Sequence, residues 1–327
     1  MKLGVLLLAA VCLLGCSKES TPSTSGTPTR TVTIGMVAKS QSNPVFQAAH
    51  QGARDAAHEL EAKYNVKIVI NIQTPADEDA QKQAQAVEQL ANQGVDAIAV
   101  SCTNASTLQT AIDKAVGLGV PVMCFDSDSP QSKRFAYYGT DDAACGKLLA
   151  IELAKSMGDK GNVAILAGNE SAPNLQNRVK AIKDELGANH PNMKIIGTFY
   201  HKETPEEAAA MVQSTTTSHP EINGWAFIGG WPLFTRDALK WNPGTIKCVS
   251  VDGLPAMLNY IKDGHTDELL AQDCYGWGHK SVEILMEKIM NKKEPSSPKV
   301  IDPLTKVTKD NVDDFAKNWD KWLGTGK

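Results

Sequence analysis

From residue 31 onward, short apolar runs alternate with longer amphipathic segments. The runs are 32–38 (VTIGMVA), 67–72 (KIVINI), 96–101 (DAIAVS), 120–125 (VPVMCF), 135–139 and 162–167 (NVAILA), then 194–200, 224–228, 246–251 and 267–271. Such runs, bounded by turn residues, predict strands buried on both faces, as in parallel sheets. Between them, 44–63, 80–93, 105–117, 142–157, 174–186, 205–214, 254–263 and 278–291 predict helices. In the first of these, Val45, Phe46, Ala49, Ala53, Ala56, Ala57 and Leu60 share one face. Gly94, Gly119 and Gly264 sit where helices should stop. This alternation predicts right-handed βαβ units in doubly wound parallel sheets, an α/β class. Some ten strands exceed one comfortable open sheet. A polar stretch, DSDSPQSKR, precedes FAYYGTD at 135–141 and marks the break. Two α/β lobes are therefore expected, as a length of 327 residues also suggests.

The first 16 residues follow another pattern. Lys2 is followed by a 13-residue apolar run, Leu3 to Gly15. At about 1.5 Å per residue it spans roughly 20 Å, short of a ~30 Å hydrocarbon core. It reads as a signal peptide. Its end, Leu13-Leu14-Gly15-Cys16, resembles a bacterial lipobox, which implies lipidation of Cys16 and a membrane-anchored lipoprotein. Residues 17–30 are mostly Ser, Thr, Pro and Gly and predict a flexible tether.

Composition narrows the function. A net charge of −4 provides no basic footprint for nucleic acid. Beyond the leader lie Cys102, Cys124, Cys145, Cys248 and Cys274, without CxxC spacing, which disfavours zinc or redox chemistry. Cys102 and Cys124 end consecutive predicted strands and could approach each other. No GxSxG, GxxxxGK[ST], HExxH or GxGxxG is present, so neither an enzyme nor a cofactor is expected.

Ligands of open parallel sheets sit at the carboxyl ends of strands. Asp126 and Asp252 directly follow two predicted strands, each able to accept two hydroxyl hydrogen bonds. Turn or capping roles are the alternatives, and a metal site from Asp126, Asp128 and Asp141 lacks the pattern of a calcium loop. Asn174 and Arg178 lie i, i+4 on one helix face near its start, where Asn174 could instead be a cap. Arg178 offers a planar fork for paired acceptors.

Eight segments in order resemble type I periplasmic sugar-binding proteins, the ribose-, allose- and xylose-binding group that feeds ABC transporters. They are IGMVAKSQSNPVF (34–46), GVDAIAVSCTNAS (94–106), GVPVMCFDSDSP (119–130), YYGTDDAACGKLLA (137–150), AILAGNESAPNLQNRVKAI (164–182), SVDGLPAMLNYIKDG (250–264), LLAQDCYGWGHKSVEIL (269–285) and KVTKDNVDDF (306–315). The resemblance implies two Rossmann-like lobes joined by three crossovers, near 135–141, 271–274 and 302–306. The first lobe is expected to take 31–136 plus 273–302, the second 137–272 plus 303–327. The resemblance puts Asp126, Arg178 and Asp252 among the sugar contacts. It adds Lys39, Asn43 and Phe46 from the first βα loop, Phe46 being alternatively a core residue, and Gln272 at a crossover. It is imperfect at Ser127, where the family often has Arg, and at Ser101, which stands where ribose binders carry Asn and is kept as a candidate ligand contact. Gly229-Gly230-Trp231-Pro232 replaces a frequent Asn, and Trp231 could stack on a sugar. The expected role is a monomeric, lipid-anchored binder of a monosaccharide or polyol, in the periplasm or on the outer cell surface. It would deliver its ligand to an ABC permease. A sensor presenting ligand to a chemoreceptor or histidine kinase is the alternative, and a glycosidase using Asp126 and Asp252 is a third.

Overall fold

The computed structural model describes Met1 and residues 30–323. The signal peptide, Cys16 and nearly all of the tether lie outside the described residues. In chain order the strands are β1 (Thr31–Val37), β2 (Lys67–Ile72), β3 (Ala97–Val100), β4 (Val122–Phe125), β5 (Ala136–Gly139), β6 (Gly161–Ala167), β7 (Met193–Tyr200), β8 (Gly224–Phe227), β9 (Lys247–Val251), β10 (Glu268–Ala271), β11 (Lys299–Ile301) and β12 (Thr305–Val307). The helices are α1 (Val45–Tyr64), α2 (Ala80–Asn92), α3 (Ala105–Gly117), α4 (Asp142–Met157), α5 (Pro173–Asn189), α6 (Pro205–Ser218), α7 (Pro255–Lys262), α8 (Cys274–Asn291) and α9 (Val312–Trp322).

Two six-stranded sheets result, ordered β2-β1-β3-β4-β5-β11 and β7-β6-β8-β9-β10-β12. They share one winding, so β4 of the first corresponds to β9 of the second. Neighbours are parallel except β10 and β12, which run antiparallel. The central strands β3, β4, β8 and β10 are buried at every residue. Gly94, Gly119 and Gly264 follow helix ends with φ of 73°, 88° and 77°, the left-handed region glycine tolerates.

Several expectations shift. β5 pairs with β4 through Met123–Ala136, Cys124–Tyr137 and Phe125–Tyr138. Residues 136–139 thus belong to the first sheet, and a boundary after residue 136 would cut through a strand. The polar stretch before β5 is a loop within the first lobe, and the chain passes to the second lobe at Thr140–Asp141. β11, β12 and α9 were not foreseen: the strands have three residues each, and α9 is rich in charge. Cys102 and Cys124 do approach, but their sulfurs stay 3.9 Å apart and both are free thiols.

Helix α8 begins at Cys274, four residues before the expected start. Glycine lowers helix propensity, and Gly276 and Gly278 obscured this turn. Close packing is what requires Gly278: a Cβ there would meet the Ala49 carbonyl oxygen of α1 at 1.7 Å. The pressed helices bring Trp277 within 6.0 Å of Phe46, centroid to centroid.

At the end of β1, Thr74 Oγ1 accepts the Ala38 N–H (3.0 Å) and lies 3.3 Å from His50 Nε2 on α1. Burial, with the nearby Arg54 charge, lowers the His50 pKa from 6.5 to about 4. The unfolded chain takes up a proton below 6.5 that the folded protein refuses until about 4. We predict that stability falls as pH drops through this window, with a slope approaching about 1.4 kcal/mol per pH unit. His50→Gln should flatten that segment of a urea-melt pH profile; an unchanged slope would assign the loss to other groups.

Candidate functional site

Both sheets present the carboxyl ends of their strands to the space between the lobes. Asp126 follows β4 and Asp252 follows β9, the corresponding strand. Both have left-handed backbones, φ 55° and 75°, which Asp tolerates better than most residues. Each keeps its amide on the neighbouring strand, Asp126 N–H to Tyr138 O and Asp252 N–H to Leu270 O, both 3.0 Å. One local device thus ends two strands and presents two carboxylates to one cleft.

Lys39, Asn43, Phe46, Asp126, Asn174, Arg178, Trp231, Asp252 and Gln272 line a single cavity of about 30 Å³. That volume suits one or two waters, so the lobes are drawn together. Ser101 stands behind the cavity, its hydroxyl donating to Asp126 Oδ2 at 2.6 Å. Asn43 accepts the Val45 N–H at 3.2 Å and shapes the entry to α1.

Arg178 is buried, and each of its three nitrogens has a partner. Its Nε donates to Asp142 Oδ1 (2.9 Å), one Nη to the Ile228 carbonyl (3.0 Å) and the other to Gln272 Oε1 (2.7 Å). Gln272 passes the chain on: its Nε2 donates to Asp252 Oδ1 at 2.8 Å, while Gly230 N–H holds Oδ2 at 3.0 Å. Thr140 Oγ1, at the first crossover, also donates to Gln272 Oε1 (2.9 Å). Burial raises the pKa of Asp252, against the pull of Gln272 and Arg178. Burial likewise opposes the Arg178 charge, but Asp142 leads the groups that raise its pKa above the ordinary value.

Lys39 bridges the lobes. Its ammonium lies 3.4 Å from Asn174 Oδ1 and 4.0 Å from Asp126 Oδ2. Burial works against this cation, yet Glu203, Asp126 and Glu78 outweigh it and raise its pKa. Asn174 is not a cap. It sits inside α5, whose N-cap is Ala172, and its amide spans from Ser127 to Asp126 at 3.4 and 3.5 Å. Phe46 is both core and lining. Trp231 is buried in a 3₁₀ turn, edge-on to His201 at 5.1 Å. Asp128 instead pairs with Arg134, and Asp141 caps α4. No group of three metal-ligating side chains converges among the described residues.

Val45, Leu175, Glu203, Gly229 and Trp277 also line the cavity. Glu203 lies three residues past the end of β7, so a rule that takes the residue directly after a strand misses it. Trp277 was hidden by the mistaken start of α8.

A periplasmic binding protein domain model matches residues 34–293. The chain belongs to the periplasmic binding protein domain family. Members of this family are solute-binding proteins, not enzymes, which removes the glycosidase alternative. Among relatives, the ribose import binding protein RbsB of Bacillus subtilis is 26% identical over 273 residues, 82% of this chain and 86% of that one. The xylitol-binding protein of Mycolicibacterium smegmatis is 29% identical over 252 residues, 76% of this chain and 70% of that one. An ABC transporter solute-binding protein of Burkholderia graminis, solved with D-arabinose, superposes with a TM-score of 0.77 at 28% identity, over 86% of this chain and 96% of that one. The doubly wound pair of lobes is thus the architecture of the periplasmic binding protein family.

In this family member Arg178 owes its place to Gly146 of α4. A Cβ at Gly146 would meet the Arg178 carbonyl oxygen at 2.3 Å and its Cα at 2.8 Å. An exposed helical Gly→Ala gains about 1 kcal/mol. We predict the reverse sign for Gly146→Ala, a loss of about 1–3 kcal/mol from overpacking. The urea midpoint is the measurement, and an unchanged or raised midpoint would show that α4 and α5 can separate at no cost.

Proposed function

We propose that this protein captures a monosaccharide or polyol between its lobes and delivers it to an ABC permease. The observation that carries this reading is the convergence of Asp126 and Asp252, Arg178 and Lys39, and Phe46 and Trp231, from both lobes, on one narrow cavity. Carboxylates accept paired hydroxyl hydrogen bonds, and Arg178 and Lys39 supply charged donors. The rings of Phe46, Trp231 and Trp277 supply the apolar face that a sugar C–H surface needs. Names of relatives point the same way: ribose, ribose/allose, xylitol and apiose binders or importers.

Closure follows from differential affinity. Groups on both lobes meet ligand together only when the lobes are shut, so binding shifts the balance toward the closed form. Family membership supports a periplasmic or extracellular setting, and the Leu13–Cys16 lipobox supports a lipid anchor there.

Calorimetry against pentoses, hexoses and polyols should find a binder. Arg178→Ala should weaken that binding by at least ~1.5 kcal/mol, through loss of charge-assisted hydrogen bonds. Binding of a nucleoside or amino acid in place of every sugar and polyol would overturn the assignment. For the anchor, Cys16→Ala should move the protein from the membrane fraction to the soluble one. Retention of the variant on membranes would remove Cys16 from that role.

A further inference from the structure

Helix α9 belongs to the second lobe, since β12 before it pairs with β10. Lys262 of α7 holds it there through Asp313 at 2.7 Å. Two of its buried rings press on the turn after β9. Trp319 Nε1–H donates to the Gly253 carbonyl at 2.8 Å. Phe315 lies against the same residue: a Cβ on Gly253 would meet the Phe315 ring at 3.0 Å and the Ala271 Cβ at 2.8 Å. Gly253 directly follows Asp252, which has a left-handed backbone and lines the ligand cavity. The turn that aims Asp252 is therefore backed by α9 from outside the cleft.

The far end of α9 reaches the other lobe. Trp322 stacks on Tyr275 of α8, with centroids 6.3 Å apart and planes 20° from parallel. Tyr275 is fixed in the first lobe: it stacks on His279 at 5.6 Å, and its hydroxyl donates to Asp55 Oδ2 of α1 at 3.0 Å. Trp322 also meets Trp319 edge-on at 4.9 Å and Phe315 at 5.9 Å. One run of rings thus leads from the first lobe to the Asp252 turn. It passes beside the second and third crossovers, where Tyr275, Phe315 and Trp322 share a cavity of about 480 Å³ with Gln272, Asp273 and Asp302. Neither Tyr275 nor Trp322 lines the ligand cavity.

We infer that α9 is an interlobe strap: Trp319 is a positioning residue for Asp252, and the Trp322–Tyr275 stack ties that position to the first lobe. This rests on the reading of the cleft as the ligand site and adds residues outside the cleft to it. The indole N–H fixes the carbonyl next to Asp252, so the carboxylate keeps its aim. Trp322 and Tyr275 ride on different lobes, so rotating one lobe against the other slides one ring over its partner. Aromatic pairs have preferred geometries, and the stack resists that rotation.

The strap is tested by amide hydrogen exchange of the full chain without ligand. Tyr275→Ala should speed exchange about five-fold in peptides covering 252–258, on the other lobe, and leave those of β3 and β8 unchanged. Tyr275→Phe keeps the ring and should restore the wild-type rate. Trp322→Ala, at a half-buried ring, should speed exchange both at 252–258 and at 275–281. Changes confined to the helix that carries the substitution, or spread evenly over the molecule, would overturn the strap. Calorimetry with D-ribose, D-arabinose, D-xylose and xylitol tests the positioning role. Trp319→Phe removes the donor and keeps a ring; it should raise the Kd of whichever probe binds by roughly five-fold, the worth of one hydrogen bond. An unchanged Kd would remove Trp319 from that role and leave the sugar reading standing. If the wild-type chain binds no sugar or polyol, the sugar reading falls, and the exchange rates, measured without ligand, still decide the strap.

Discussion

Burying ions between two closing lobes is the constraint on which this site depends. Arg178 and Lys39 are each almost fully buried, as are Asp126 and Asp252. Desolvating such groups costs several kcal/mol each unless partners meet them with good geometry. The chain Asp142–Arg178–Gln272–Asp252 supplies that geometry on the second-lobe side. It leaves the guanidinium one orientation, because its Nε and both Nη groups are already committed. On the first-lobe side, Ser101 fixes Asp126 and Lys39 leans on Asn174. Gln272 stands where the chain crosses between lobes, so the crossover itself is part of the charge network. Within the second lobe this network holds Arg178 and Asp252 in one arrangement without any help from the first.

The corresponding positions of Asp126 and Asp252 explain why the site was partly legible from sequence. Each follows a buried strand, and the carboxyl end of a parallel strand is where backbone turns and side chains face a cleft. That rule finds Asp126 and Asp252 directly, and helical spacing finds Asn174 and Arg178. Resemblance alone supplied Lys39, Asn43 and Gln272, since nothing in a lone Lys or Gln marks it as buried. Ser101 shows the limit of that carry-over, because it holds an aspartate rather than lining the cavity.

What was missed has physical causes. Gly276 and Gly278 read as helix breakers, yet Gly278 is present because α1 leaves no room for a side chain. That error hid Trp277. The break near 135–141 contains the crossing at Thr140–Asp141, but the boundary after residue 136 cuts β5, because pairing of β5 with β4 is a long-range fact that local pattern does not carry. The short edge strands β11 and β12 carry too few residues to show any period. Glu203 lies three residues beyond β7, in a loop of ordinary charged residues that the strand-end rule does not reach.

The order of segments along the chain has a consequence for how the protein is made. The first sheet is begun by β1, β2, β3, β4 and β5, but its edge strand β11 and its covering helix α8 come after almost the whole second lobe. Gly278 meets Ala49 across more than two hundred intervening residues. A chain emerging from its N-terminus therefore cannot finish its first core until α8 and β11, which follow β10, exist. Contacts so distant in sequence slow folding. The first lobe is thus left unlocked while β6 to β10 are made, because the helix and strand that close it follow them in the chain.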